Sequence, residues 1–226
     1  MLGSDILLKF NVQVDDASEL SDTEALDLAN DIYQEIQDDR PWEWLRATAS
    51  LTQSTSVPYI ALPSDFKMMM PNYSGVTSGQ FNNLGVPRGY KPPVYNNLTS
   101  VPVVIVGSTN SPYIVIPYAE HQNYINTDGY CYVDVPNSRL VFTKQPTIAN
   151  SATFDYIKVA PALTTATSPL FRSGFHKIIP FGMAARLPQL TQADKGTSYT
   201  NENRALYMST LEDMAVEDAN LKLAYA

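Results

Sequence analysis

The sequence predicts an α+β chain: a helical bundle made from the N- and C-terminal segments, with an inserted, mostly antiparallel β domain between them. Apolar residues recur at helical spacing near both ends of the chain. In the middle, nine prolines between Pro58 and Pro117 exclude a long helix, and short β-branched and aromatic runs stand between turn residues. Composition changes at two places. Residues 1–46 read as an N-terminal arm and helix, 47–160 as the β domain, and 161–226 as helices that complete the bundle, followed by a tail. Amphipathic helices at the two ends could bury their apolar stripes against each other.

Ile6, Leu8, Phe10, Val12 and Val14 alternate with mostly polar neighbours, the period of a half-buried strand or of an extended arm that pairs with a neighbouring subunit. Ser21 followed by Glu24 matches a capping box, and Asp22 favours the positive helix end. Ala25, Leu28, Ala29, Ile32 and Ile36 then mark one helical face until Pro41 stops it. Trp44 and Leu45 extend that face, so we read Trp42, Trp44 and Leu45 as core anchors rather than as a partner-binding site.

In the middle zone, 57–62, 101–106, 113–116 and 154–159 read as strands. Residues 130–135 and 139–143 flank Pro136, Asn137 and Ser138 as a hairpin. A stretch at 72–97, rich in Gly, Asn, Pro and Tyr, reads as a long loop, and such loops tend to be interaction surfaces. Toward the C-terminus, Phe175, Ile178, Ile179, Met183 and Leu187 mark an apolar helix face that Pro180 is expected to kink or interrupt. We read Phe175 as a further core anchor. Gly182, Ala184 and Ala185 would allow close packing. A final helix is expected over 201–221, with Tyr207, Leu211, Met214 and Ala215 as its stripe.

Composition narrows the function. Fifteen basic residues against 23 acidic ones give a net charge of -8, which disfavours phosphate recognition by a basic patch. A negative wall could instead let DNA slide past without sticking. Low charge (17%), 14 Tyr and 16 Pro suit a surface of neutral hydrogen-bonding groups and aromatics. Cys131, the single cysteine, reads as a small buried hydrophobe on a strand. No apolar run is long enough to span a bilayer, and we expect no signal peptide and no membrane partner.

The search for chemistry returns little. His121 and His176 stand without a second ligand at zinc spacing and read as structural or surface residues. GxSxG, Walker and GxGxxG patterns do not occur. The pairs Asp15–Asp16 and Asp38–Asp39 read as solvated ends of elements. We therefore expect a non-enzymatic protein with no catalytic residue, no metal and no cofactor. Tyr90, Tyr95, Tyr113, Tyr118, Tyr124, Tyr130 and Tyr132 could serve a sugar-binding module, although tyrosine is also a good half-buried strand former, the reading we prefer.

Two blocks together look like a known family. The first is 25–36 (ALDLANDIYQEI), then Pro41–Trp42–Glu43–Trp44–Leu45, then 57–66 (VPYIALPSDF). The second is 154–163 (FDYIKVAPAL) followed by 168–187 (SPLFRSGFHKIIPFGMAARL). Helix, Trp-bearing knot, strand and a Leu-Pro-x-Asp-Phe turn, closed by a strand and a Phe-His helix start, resemble tailed-bacteriophage head-to-tail adaptor (neck) proteins. The plan is similar to podophage tail tubular proteins of the adaptor type.

With the final helix, the blocks cover about half of the chain. The resemblance implies a virion protein, assembled in the host cytoplasm, that forms a homo-oligomeric ring, commonly a dodecamer. Such a ring would lie below the portal protein, bind the tail or nozzle protein beneath, and line the DNA exit channel without sequence-specific binding. It implies candidate portal contacts at Leu221, Leu223 and Tyr225. Tyr90 and Tyr95 are the candidates for the tail side or for fibre attachment. A tail terminator, a fibre-attachment protein and a carbohydrate-binding β module are the alternatives.

Overall fold

A computed structural model describes residues 1–14, 20–70, 102–107, 111–191 and 197–224. The long loop expected at 72–97, with Tyr90 and Tyr95, lies outside the described residues, as do Asp15, Asp16 and Tyr225. The chain divides into two compact units. Met1–Leu45 and Ala160–Ala224 form one, and Arg46–Val159 the other.

The first unit holds four helices: α1 (Gly3–Val14), α2 (Asp22–Asp39), α3 (Ile178–Thr191) and α4 (Thr197–Ala224). The N-terminal strand or arm expected from alternation is a helix instead. Residues two apart on a helix point nearly opposite ways, so Ile6, Phe10 and Val14 turn inward with Leu7, while Leu8 and Val12 turn outward. A spacing of four fits both periods, and that is how the alternation misled. The start of α1 is fastened by Gly3 N and Ser4 N, which donate to Thr167 O and Thr165 O at 2.8 and 3.1 Å.

The capping box of α2 is present. Glu24 N donates to Ser21 Oγ at 3.3 Å, and Ser21 N donates to Glu24 Oε2 at 2.9 Å. The Ser21 bonds hold the Glu24 carboxyl below its ordinary value. Asn30 and Gln37 reach from α2 to the returning chain. Leu163 N donates to Asn30 Oδ1 at 2.6 Å, Asn30 Nδ2 donates to Leu163 O at 3.1 Å, and Ala160 N donates to Gln37 Oε1 at 2.8 Å.

Helix α3 is the hub of this unit, packed against α1, α2 and α4. Its Ile178, Ile179, Met183, Ala184 and Leu187 are fully buried, as expected of a helix that is apolar on more than one side. Pro180 neither kinks nor interrupts it. The helix begins at Ile178, so Pro180 sits in the first turn, where its missing N–H would have no partner in any case. Gly182 lies where three helices meet. A Cβ there would stand 2.8 Å from Ile32 Cγ2 and 3.1 Å from Tyr207 Cδ2.

The second unit corrects the expected fold class. It is one large, nearly closed, barrel-like sheet of eight strands, and not a β domain inserted into a helical bundle. The strands are β1 (Arg46–Thr52), β2 (Tyr59–Ala61), β3 (Phe66–Met69), β4 (Val103–Val106), β5 (Ser111–Val115), β6 (Tyr130–Asp134), β7 (Arg139–Phe142) and β8 (Ser151–Lys158). Their order is β1-β8-β4-β5-β6-β7-β2, with β3 also on β8.

All pairs are antiparallel except β5–β6, which is parallel. Strand β8 gives one edge to β1 over its whole length. It also pairs with β4 near its start and with β3 near its end. Strands far apart in sequence are thereby drawn into one hydrogen-bonded path, which reasoning from adjacent hairpins does not reveal. Inside lie Val104, Val106, Cys131, Leu140, Phe142, Ala152 and Phe154, among others. Cys131 is fully buried, and burial pushes its thiol above the ordinary range.

Candidate functional site

The helical unit carries an open groove of about 200 Å³ at the C-terminal part of α4. Trp44, Phe171, Phe175, Met214 and Leu221 line it, and Arg172 and Glu217 form an ion pair at its rim, 3.1 Å apart. Three residues singled out from sequence therefore meet in one place. Trp44 and Phe175, expected as core anchors, are only half-buried there, while Trp42 and Leu45 are the true anchors, fully enclosed. Leu221, a candidate partner contact, is 40% exposed at the groove edge. Leu223 lies two residues further along α4, and its side chain is outside the described residues.

Local chemistry explains why the groove keeps its shape. Trp42 sends its indole N–H to Ile36 O in the last turn of α2. Arg40 lies over the same indole, 4.9 Å from its centroid. The 3₁₀ turn Glu43–Leu45 follows, and Glu43 N donates to Asp218 Oδ1 at 2.6 Å. Asp218 is 4% exposed, so this carboxylate ties α4 to the tryptophan turn from inside the protein.

Trp44 then stacks on Tyr33 at 6.2 Å and meets Phe171 edge-on at 5.3 Å. Its Nε1 is buried and has no acceptor among the described residues. Behind Phe171, His176 donates from Nε2 to Phe171 O at 2.8 Å, which leaves Nδ1 as the unprotonated nitrogen. That Nδ1 is buried without a donor. Burial, the largest influence, holds His176 below its ordinary value, although the Phe171 carbonyl acts the other way.

A second apolar groove, of about 460 Å³, runs between α1 and α3. Leu8 and Val12 line it one helical turn apart, together with Pro180 and Phe181, and Lys9 and Lys177 flank it. Leu8 is 64% and Val12 75% exposed. Sequence reading missed this surface because it assigned the same residues to a strand. The alternation that misled about secondary structure was itself the signal of a helix with two apolar faces.

No family model and no curated protein matches the chain. Its chemistry must be read from the residues themselves. Among the described residues, no group of three or more His, Cys, Asp or Glu side chains could hold a metal ion. No described helix is long and apolar enough to cross a membrane.

Tyr113, Asp128 and Lys144 form a polar cluster in the sheet unit. Tyr113 OH donates to Asp128 Oδ1 at 2.7 Å, and Lys144 Nζ stands 3.5 Å from Asp128 Oδ2. Burial and the Asp128 bond push the Tyr113 hydroxyl up to about 12, while the same bond holds Asp128 low. A phenol this weakly acidic is a poor proton carrier at neutral pH, so the cluster reads as a clasp between β5 and the start of β6.

Proposed function

We propose that the chain is a structural virion protein: one subunit of a ring that lies below the portal of a tailed bacteriophage, joins capsid to tail and lines the DNA exit channel. It works through surfaces and carries out no catalytic step. The carrying observation is the groove in which Leu221 stands exposed beside Trp44, Phe171 and Phe175. Both blocks of the adaptor resemblance contribute to it, and an aromatic-lined groove with a charged rim is the composition of a protein-binding hot spot.

Two further observations support a subunit role. A closed ring needs two different faces on each copy, and the helical unit carries two separate apolar grooves. The net charge of -8 suits a channel that repels DNA. In this reading the first groove serves the portal, with Leu221, Leu223 and Tyr225 as contacts, and Tyr90 and Tyr95 face the tail protein or a fibre.

The test is native mass measurement of the purified protein, alone and mixed with a portal protein from the same source. The expected result is a ring of about a dozen copies on the portal, lost in Leu221→Asp while circular dichroism stays unchanged. A monomer under all conditions, or undiminished portal binding after removal of residues 221–226, would overturn the assignment.

A further inference from the structure

The sheet unit has a groove of a different character, about 270 Å³, where the segment after β5 crosses the outside of the sheet. After β5 the chain turns through a 3₁₀ stretch, Tyr118–Tyr124, before it enters β6. Side chains of β6 alternate. Cys131 faces the barrel core, while Tyr130 and Tyr132 face outward and pack on Ile114 and Ile116 together with Tyr124. Tyr118, His121 and Tyr132 then form a triangle of rings, with centroid distances of 4.9, 4.8 and 5.7 Å.

The groove opens beside this triangle. Its apolar lining is Pro58, Ile125, Tyr132 and Val141, with the end of β7 at Phe142, whose ring belongs to the barrel core. Its polar groups are His121, Asn126, Thr143 and Gln145. None of these lining residues is an aspartate, glutamate, lysine or arginine.

Hydrogen bonds set what each polar group can offer. His121 Nδ1 donates to Tyr118 O, because a carbonyl only accepts, and Nε2 then accepts from Gln122 Nε2 at 2.8 Å. Gln145 donates from Nε2 to Thr55 O at 2.8 Å, which leaves its amide oxygen as the acceptor. Thr143 uses its one hydroxyl hydrogen on Thr127 O or Tyr130 O, at 2.6 and 2.9 Å, and keeps lone pairs to accept with. Asn126 sits in the left-handed region at φ 61°, held by its N–H to Thr143 O at 2.9 Å, with its side chain exposed.

We infer that this groove binds a neutral saccharide, one pyranose unit resting on Tyr132 and His121 with its hydroxyls on Asn126, Thr143 and Gln145. A charged ligand would find no counter-charge in the lining. A wholly apolar ligand would strip water from two amides and a hydroxyl without replacing their bonds. A pyranose offers what the lining asks for: apolar C–H groups on one face and hydroxyls around the edge. A nucleoside shares that mixture, and adenosine is therefore the ligand against which the sugars are compared. The inference stands apart from the neck reading and holds or fails without it.

The experiment titrates the full-length protein with glucose, galactose, N-acetylglucosamine, rhamnose and their short oligomers, followed by saturation-transfer NMR. Adenosine and inorganic phosphate serve as comparison ligands. The expected result is saturable millimolar binding of at least one sugar. Asn126→Gly is the decisive variant, because glycine keeps the positive φ at no cost and removes only the amide. It is expected to weaken binding about tenfold, the loss of about 1.4 kcal/mol typical of one hydrogen-bond partner. His121→Ala is expected to weaken it as well. The inference is overturned if no sugar binds saturably, if both variants bind like the parent, or if adenosine or phosphate binds this groove and the sugars do not.

Discussion

Trp42 and Trp44 stand two residues apart, and the same substitution at each is predicted to have very different consequences. In Trp42→Phe, the Ile36 carbonyl loses its only described side-chain donor at a fully buried site. The loss of a buried hydrogen bond to that acceptor costs about 1–3 kcal/mol. The smaller ring also leaves a cavity of about 40 Å³, worth about 1 kcal/mol at ~24 cal/mol per Å³. The sum is about 2–4 kcal/mol. Trp44→Phe loses no hydrogen bond, since Nε1 has no acceptor among the described residues, and the ring is half-exposed. Its cost is about 1 kcal/mol or less, and removing an unsatisfied donor works in its favour.

The two variants therefore differ by about 2 kcal/mol, or about 4–8 °C in Tm for a protein of this size. Far-UV circular dichroism follows the helical unit, and urea unfolding at unchanged slope supplies the free energies. Equal costs for the two substitutions would refute the reasoning. So would a neutral Trp42→Phe.

Two further outcomes are expected of the helical unit. Gly182→Ala gains about 1 kcal/mol of helix propensity but forces its methyl against Ile32 and Tyr207, an overpacking cost of about 1–3 kcal/mol. It is expected to be less stable than Gly174→Ala, where nothing lies within 4 Å of the new methyl, and the reverse order in urea midpoints would count against the packing. His176 is held below its ordinary 6.5 by burial, so as pH falls the unfolded chain takes up the proton first. The stability it contributes is full above about 6.5 and is lost toward the lowered folded value, at no more than about 1.4 kcal/mol per pH unit. His176→Gln keeps a donor for Phe171 O and is expected to flatten that part of the stability–pH curve.

Local signals in the sequence proved legible where a single residue type has one structural use. Ser21 and Glu24 announced the start of α2, and Trp42 and Leu45 its buried end. Pro136–Asn137–Ser138 marked the β6–β7 turn, with Ser138 in the left-handed region at φ 50°. Other features needed tertiary knowledge. Residues 46–52 carry small and polar side chains with no strong strand signal. They become β1 because β8 offers a full edge to pair with. The barrel-like closure depends on partners of β8 that lie far apart in the chain.

Of the sites, Leu221 and the tryptophans were visible in sequence, but the groove that unites them depends on Asp218 as a buried tether. A carboxylate on a helix otherwise reads as solvated. Nor could spacing alone place His121 against Tyr132, since the two are joined across a 3₁₀ turn rather than along one strand.

The pairing of β8 has a consequence for how the chain is made. Strand β1 leaves the ribosome about 100 residues before its partner, a delay of roughly 5–20 s at ordinary rates of synthesis. Helices α1 and α2 wait longer still for α3 and α4, the elements that cover them. The helical unit cannot finish folding until the whole sheet segment has been translated, because residues 46–159 stand between its two parts in the chain. Through that interval the apolar faces of α1 and α2 and the open edge of β1 are available to other molecules. Exposed apolar faces and unpaired strand edges of this kind are the surfaces through which chains aggregate and which chaperones cover.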